Sequence, residues 1–265
     1  MQAADVKISA YLITLNEGRY LDEVLSSLDG VDEIVIVDSG STDATLSIAQ
    51  KHQAKIIHQD WLGFAKQKAF AMQQCTHDWV LNLDGDEVLP PGAISVIKEN
   101  IAQNPQRCFA IQRDDFFMGA SMIPRKMRSF MRIYPKSRAK WRETDLVHEH
   151  IDIDLPVHKL PIVFKHYGYL TVDSMLLKNN GYASLKAQQR IAKGRPFSAL
   201  RMIFIFPVMF IKIYFFNRHF LCGWRGFIRA TLQSAYFFLT EAKLYEHQFM
   251  DKQAPAEQQQ PPHQD

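Results

Sequence analysis

From residue 7 to residue 83 short apolar runs alternate with helix-spaced patterns, and this alternation narrows the possible folds more than any other feature of the chain. Lys7-Ile-Ser-Ala-Tyr-Leu-Ile-Thr14 and Glu33-Ile-Val-Ile-Val37 read as buried strands, Ala54 to His58 as a third and Trp79 to Leu83 as a fourth. Between them Tyr20, Leu21, Val24, Leu25 and Leu28 recur at helical spacing. Leu46, Ile48 and Ala49 follow a Ser41 or Asp43 cap, and Phe64 to Gln74 forms a third helical pattern. Strands joined through helices need right-handed crossovers and pair in parallel, which places ligands at their carboxyl ends. The expected class is α/β, with a Rossmann-like, mostly parallel sheet flanked by helices.

Two polar segments, Asp38-Ser-Gly-Ser-Thr-Asp43 and Asp84-Gly-Asp86, each follow a strand at that edge. Carboxylates one residue apart, where a buried strand opens into a loop, form a hard-oxygen site for Mg²⁺ or Mn²⁺ that leaves room for substrate phosphates. The alternative is a solvated acidic turn pivoting on Gly85. With 265 residues, 47% hydrophobic and 22% charged, the chain can bury a sizeable core. Cys75, Cys108 and Cys222 are far apart with no CxxC pair, which argues against a zinc site or disulfide framework and suits a reducing compartment. Met-Gln-Ala-Ala-Asp-Val-Lys at the start has no basic segment followed by an apolar one, so no signal peptide is expected.

Thr14-Leu-Asn-Glu17, Val37-Asp-Ser-Gly-Ser-Thr-Asp43 and Leu83-Asp-Gly-Asp-Glu87 resemble the three successive signatures of family 2 glycosyltransferases, which have the GT-A (nucleotide-diphospho-sugar transferase) fold. Trp141, Val147-His-Glu149 and His166-Tyr-Gly-Tyr169 are similar to the branch that includes lipopolysaccharide core β-1,4-glucosyltransferases. The resemblance implies inverting transfer of a hexose, with UDP-glucose as donor and an inner-core heptose as acceptor. An undecaprenyl-linked glycan or a protein side chain is the alternative acceptor, and a non-catalytic sugar-nucleotide-binding protein the alternative class.

Under that resemblance Asp86 acts on the diphosphate through Mg²⁺ or Mn²⁺, Asp84 shares the metal or holds the ribose, and His166 supplies a late metal ligand. Thr14, Asn16, Glu17, Asp38 and Ser39 fall where the family contacts the nucleotide, although Asp38 could instead cap a turn and Glu17 could be an ordinary first-turn helix residue. Lys68 can attract phosphate, yet Ala69 lacks the amide the family has beside it, and a solvated helix-face lysine is the other reading. Inverting transfer needs a base for the acceptor hydroxyl, for which Glu149 is the candidate and Asp145 its competitor.

Basic residues from Arg113 to Arg142, interleaved with aromatics, read as a flexible loop that binds a phosphorylated acceptor, with Arg128, Arg132 and Trp141 as its contacts, or as solvated loop charge. From Lys178 to Arg229 the chain has no Asp or Glu, and Met202 to Phe216 is almost wholly apolar but carries Pro207 and Lys212. A span needs roughly 20 apolar residues. An interfacial or re-entrant helix on an anionic membrane fits better, with a buried core helix as the alternative. No nucleic-acid module accompanies the charge. The expected organisation is a catalytic domain over 1–175, divided into a nucleotide-sugar half (1–100) and an acceptor half (101–175), then a membrane-associating helical region over 176–250 and a disordered tail over 251–265. The expected location is the cytoplasmic face of the inner membrane, peripheral or monotopic.

Overall fold

The computed structural model describes residues 5–142 and 151–253. The chain divides into two compact units, Met1–Val172 and Asp173–Asp265.

The first unit is built on a nine-stranded mixed sheet. Its elements begin β1 (Ile8–Thr14), α1 (Leu21–Ser26), β2 (Glu33–Asp38), α2 (Thr45–Lys51), β3 (Lys55–His58), α3 (Phe64–Gln73) and β4 (Trp79–Asn82). They continue as β5 (Glu87–Val88), α4 (Ala93–Gln103), β6 (Cys108–Phe117), β7 (Ala120–Ser121), β8 (Arg128–Pro135), β9 (Ala139–Trp141), β10 (Ile151–Ile153) and β11 (Val157–Tyr169). The order across the sheet is β3-β2-β1-β4-β8-β6-β11-β5, with β7 paired to β6, while β9 and β10 form a separate hairpin.

Alternation along β1 explains why the strand runs looked continuously apolar. Ile8, Ala10 and Leu12 pack on one face with Leu21, Val24 and Leu25 of α1 and Ile94 and Ile97 of α4. Tyr11 points to the other face, where it joins Val35, Val37, Ala71, Met72, Tyr134 and Trp141. Both faces are covered, so neither can carry a polar stripe. Burial pushes the Cys75 thiol up to about 12 and the Cys108 thiol up to about 11, which leaves both inert near neutral pH.

β1, β2, β3 and β4 are mutually parallel, as the sequence predicts. β8 then runs antiparallel between β4 and β6, while β11 lies parallel to β6. This corrects the basic loop expected over 113–142 at residues 113–117 and 128–135, which are strand, while Arg125 and Lys126 lie between strands. Phe109, Ile111, Ile133 and Tyr134 are fully buried, and that apolar content holds the stretch in the sheet. Arg113 stands on β6 and Arg128 and Arg132 on β8; Arg113 and Arg128 are cross-strand neighbours, and the Arg113 guanidinium lies 4.5 Å from the Phe130 ring centroid.

The second unit contains α5 (Val172–Ala192), α6 (Ala199–Ile211) and α7 (Gly223–Gln253). The Ser198 side chain caps α6, which runs on into a π-helical turn over Lys212–Phe216. Phe210 and Tyr214 pack edge-on against Phe227 of α7. Asn179 Nδ2 donates to the Leu232 carbonyl at 2.9 Å, and the buried Glu241 carboxylate takes Arg190 and, at 3.5 Å, Arg201. No residue of α6 is buried. Leu200, Ile203, Phe204, Val208 and Ile211 are all exposed, and their spacing puts them in one stripe. By length and composition alone, Ala199–Phe216 could cross a membrane. These exposures do not describe the buried core helix that was the alternative for this run.

Candidate active site

The site forms where the carboxyl ends of β1, β2 and β4 lie side by side. Thr14 is in register with Asp38, and Tyr11 with Asn82, so the segments that follow these strands leave the sheet together. Hydrogen bonds join the first two. The Asn16 amide donates to Ser41 Oγ at 2.8 Å, and Asn16 Oδ1 accepts from the Thr42 amide at 2.9 Å. The Glu17 amide donates to Thr45 Oγ1 at 2.8 Å, and the Gly18 amide to Asp43 Oδ2 at 2.9 Å. The third segment comes close to the first, since a Cβ on Gly85 would stand 2.8 Å from Glu17 Cγ.

Asp38 is buried at the centre of this meeting point. Its Oδ1 accepts from the Gly40 and Ser41 amides at 2.9 and 2.8 Å. Its Oδ2 accepts from the Thr14 hydroxyl at 2.8 Å and from the Ser41 hydroxyl. Burial acts to raise the Asp38 pKa, but these donors outweigh it and hold the carboxyl below its ordinary range. A carboxylate has about four lone-pair sites, and all four are used. These contacts anchor the turn through Asp38. Ser39 accepts at 3.0 Å from Nε2 of Gln67, whose Oε1 takes the Leu62 amide at 3.2 Å. Gln67 is fully buried and ties this turn to the segment after β3, a role the sequence reading missed. Its signal was a polar residue at a buried helical position, beside Ala65, Lys68, Ala71 and Met72.

The Asp84-Gly-Asp86 turn closes on itself. The Asp84 amide donates to Glu87 Oε2 at 3.2 Å, and the Glu87 amide to the Asp84 carbonyl at 3.1 Å. Asp84 Oδ1 lies 2.9 Å from Lys68 Nζ and Oδ2 lies 3.3 Å from Arg132 Nη2, while Arg132 also binds Glu87. Burial would raise the Asp84 pKa, yet Lys68 and Arg132 overcome it and hold the carboxyl far below the usual range. Burial pushes the Glu87 carboxyl up in spite of Arg132, and the Asp84 charge adds to the rise. Lys68 is thus a buried ion-pair partner rather than a solvated lysine, and its ammonium also lies 5.9 Å from the Trp141 ring centroid.

Arg132 and Trp141, the expected acceptor contacts, are both buried. The Arg132 guanidinium is committed to the acidic turn between the Phe130 and Phe164 rings, and Trp141 packs in the core beneath Lys68. Arg128 is exposed at the start of β8. Glu149, Asp145, His148 and His150 lie outside the described residues.

Asp86 faces His166, which the sequence places 80 residues later. The Tyr167 amide donates to the Asp86 carbonyl at 3.0 Å, and β11 pairs with β5 through His166 and Glu87. Asp86 Oδ2 and His166 Nε2 stand 3.7 Å apart, too far for a hydrogen bond. The other ring nitrogen, Nδ1, is 2.8 Å from Asp115 Oδ1. Among the described residues no group of three or more His, Cys, Asp or Glu is gathered to hold a metal ion.

The family described as "Glycosyl transferase family 2" matches residues 9–153 of this chain. The chain is a family 2 glycosyltransferase. The glycosyltransferase is 33% identical to a protein of Rhizobium meliloti named "Lipopolysaccharide core biosynthesis glycosyltransferase LpsC", over 90% of this chain and 92% of that one. An uncharacterized glycosyltransferase of Rickettsia felis is also 33% identical, over 91% of this chain and 90% of its own. Among solved structures, a glucosyl-3-phosphoglycerate synthase from Mycobacterium tuberculosis, in complex with Mn²⁺, uridine-diphosphate and phosphoglyceric acid, shares 24% identity at a TM-score of 0.35. It covers 44% of this transferase and 45% of that chain, and an overlap so partial carries no ligand across. In this glycosyltransferase the segments after β1 and β2 are hydrogen-bonded to each other at the carboxyl ends of their strands, with Asp86 and His166 facing each other.

Proposed function

We propose that this glycosyltransferase moves glucose from UDP-glucose, with inversion, onto an inner-core heptose of lipopolysaccharide at the cytoplasmic face of the inner membrane. The observation that carries the reading is the Asp86–His166 pair, two ligand-type side chains 3.7 Å apart at the edge where β1 and β2 end. The carboxylate suits Mg²⁺ or Mn²⁺ and the imidazole beside it favours Mn²⁺, an ion that would complete its shell with phosphate oxygens and water. When bound, such an ion supplies Lewis acidity toward the diphosphate leaving group. Asp86 and His166 would hold it. Asp84 is assigned to the ribose instead: each of its oxygens keeps a lone pair beyond its cation contact, enough to accept from a hydroxyl. Lys68 and Arg132 also neutralise Asp84, so an anionic diphosphate is not repelled by two bare carboxylates. Asp38 shapes the 39–42 turn that receives the base, with Thr14, Asn16, Glu17 and Ser39 holding its rim.

Glu149 is the proposed base for the acceptor hydroxyl, on the sequence reading. The lipopolysaccharide acceptor draws its support from the name of the Rhizobium relative. With extracted core lipopolysaccharide and a panel of nucleotide hexoses, the protein should transfer from UDP-glucose. Glu149→Gln should lose about 10²–10⁴-fold in turnover while binding UDP and Mn²⁺ unchanged. Transfer from a different hexose alone would overturn the donor, and undiminished turnover in Glu149→Gln would remove that residue from its role.

Peripheral attachment is the proposed use of the α6 stripe. Lys212, Arg218 and Arg225 flank it, and Trp224 is 81% exposed. Cations near an anionic surface each contribute about 1 kcal/mol, while the apolar stripe enters the acyl boundary. Full-length protein should float with anionic liposomes, and the variant with Ile203, Phe204 and Ile211 all replaced by Asp should remain in the dense fraction. Equal flotation of the two would remove the stripe from membrane binding.

A further inference from the structure

We propose that Asp115 is a positioning residue for the metal site: it fixes the His166 ring so that Nε2 faces Asp86, and Gly168 leaves the space in which that ring stands. The inference rests on the reading of Asp86 and His166 as the pair that holds Mg²⁺ or Mn²⁺. Asp115 on β6 and His166 on β11 are register partners in a parallel pair, so the sheet itself brings the two side chains together. An imidazole that donates its Nδ1–H to Asp115 Oδ1, 2.8 Å away, keeps the lone pair on Nε2, on the side of Asp86. This is how outer carboxylates fix the tautomer and angle of metal-binding histidines.

Asp115 is well anchored for this task. It is buried, Arg113 Nε lies 2.8 Å from Oδ1, and Arg125 binds Oδ2. A carboxylate clamped by two guanidinium groups cannot swing with the imidazole, so it is the histidine that takes its angle from the aspartate. Gly168 provides the second constraint. A Cβ there would stand 2.3 Å from His166 Cε1 and 2.6 Å from Nε2, so any side chain would push the ring off Asp86. His166 and Gly168 therefore act as one device, with Asp115 holding its far end.

The test is Mn²⁺ affinity of the full-length protein in the presence of UDP, read from the electron paramagnetic resonance signal of free Mn²⁺. Asp115→Asn should weaken binding by about 10- to 100-fold. Gly168→Ala should weaken it comparably while leaving the arginine contacts of Asp115 in place. In a His166→Ala background, Asp115→Asn should cause no further loss, because a residue that acts through the ring has nothing left to position. Failure of the wild type to bind Mn²⁺ with UDP overturns the metal reading, and this inference with it. Wild-type binding that Asp115→Asn leaves intact overturns the positioning role alone. An equal loss in the His166→Ala background overturns it too, by showing that Asp115 serves the sheet and not the ring.

Discussion

Asp86→Asn is expected to lower sugar transfer by about 10³-fold, or about 4 kcal/mol of barrier. The substitution keeps the shape of the side chain and removes its charge. The backbone bond from Tyr167 to the Asp86 carbonyl does not involve the side chain, so the turn and β11 stay joined. Asp84 does not replace the lost charge, because Lys68 and Arg132 already neutralise it and their positive charges oppose a further cation there. His166 alone is a neutral ligand and leaves the diphosphate charge uncompensated. Steady-state transfer at several Mn²⁺ concentrations checks the expectation, with thermal unfolding as the control for fold. Partial recovery at high Mn²⁺ with unchanged melting is the expected pattern. A variant that transfers at the wild-type rate in low Mn²⁺ would end the assignment of Asp86 to the metal.

Strands β1, β2 and β4 were legible as apolar runs whose residues pack on both faces of the sheet, and the edge strand β3 as a short apolar pair, Ile56-Ile57, with helix-spaced residues between the strands. The edge on which the site sits followed from the same alternation. What the sequence hid is the fate of single charges. Arg128 and Arg132 are four residues apart on β8 and look alike in the sequence, yet one is exposed and the other buried. Only the carboxylates of Asp84 and Glu87, brought over from another part of the sheet, distinguish them. Lys68 was ambiguous for the same reason. Asp38 shows the converse: its turn was legible, but the four donors that use up its carboxylate come from two segments folded together. Asp115 was missed although a carboxylate inside an apolar strand is itself a signal, because its partner His166 comes 51 residues later. In α6 the apolar run was plain, whereas its exposure depends on what α7 covers and leaves bare.

Arg132→Met is the substitution expected to cost most in stability, about 3–5 kcal/mol at neutral pH. Glu87 is 0% exposed, and Arg132, itself 7% exposed, is its counter-charge. Methionine fills much of the space between Phe130 and Phe164 but leaves the Glu87 carboxylate buried and unpaired. The sign of the pH dependence follows from Glu87. Burial already lifts its pKa above the unfolded value, and loss of the guanidinium lifts it further. A carboxyl whose folded pKa is raised contributes its full stability below the unfolded pKa and loses it as pH rises through the folded one. The gap between variant and wild type should therefore be small near pH 4.5 and widen toward pH 8, as measured by urea unfolding. Adding Glu87→Gln to Arg132→Met should recover much of the loss, since removing both partners leaves no buried charge. A penalty below about 1 kcal/mol, or one that does not change between pH 5 and pH 8, would show that Glu87 does not depend on Arg132. The same variant should release one side of Asp84, so weaker UDP binding is expected alongside the lost stability.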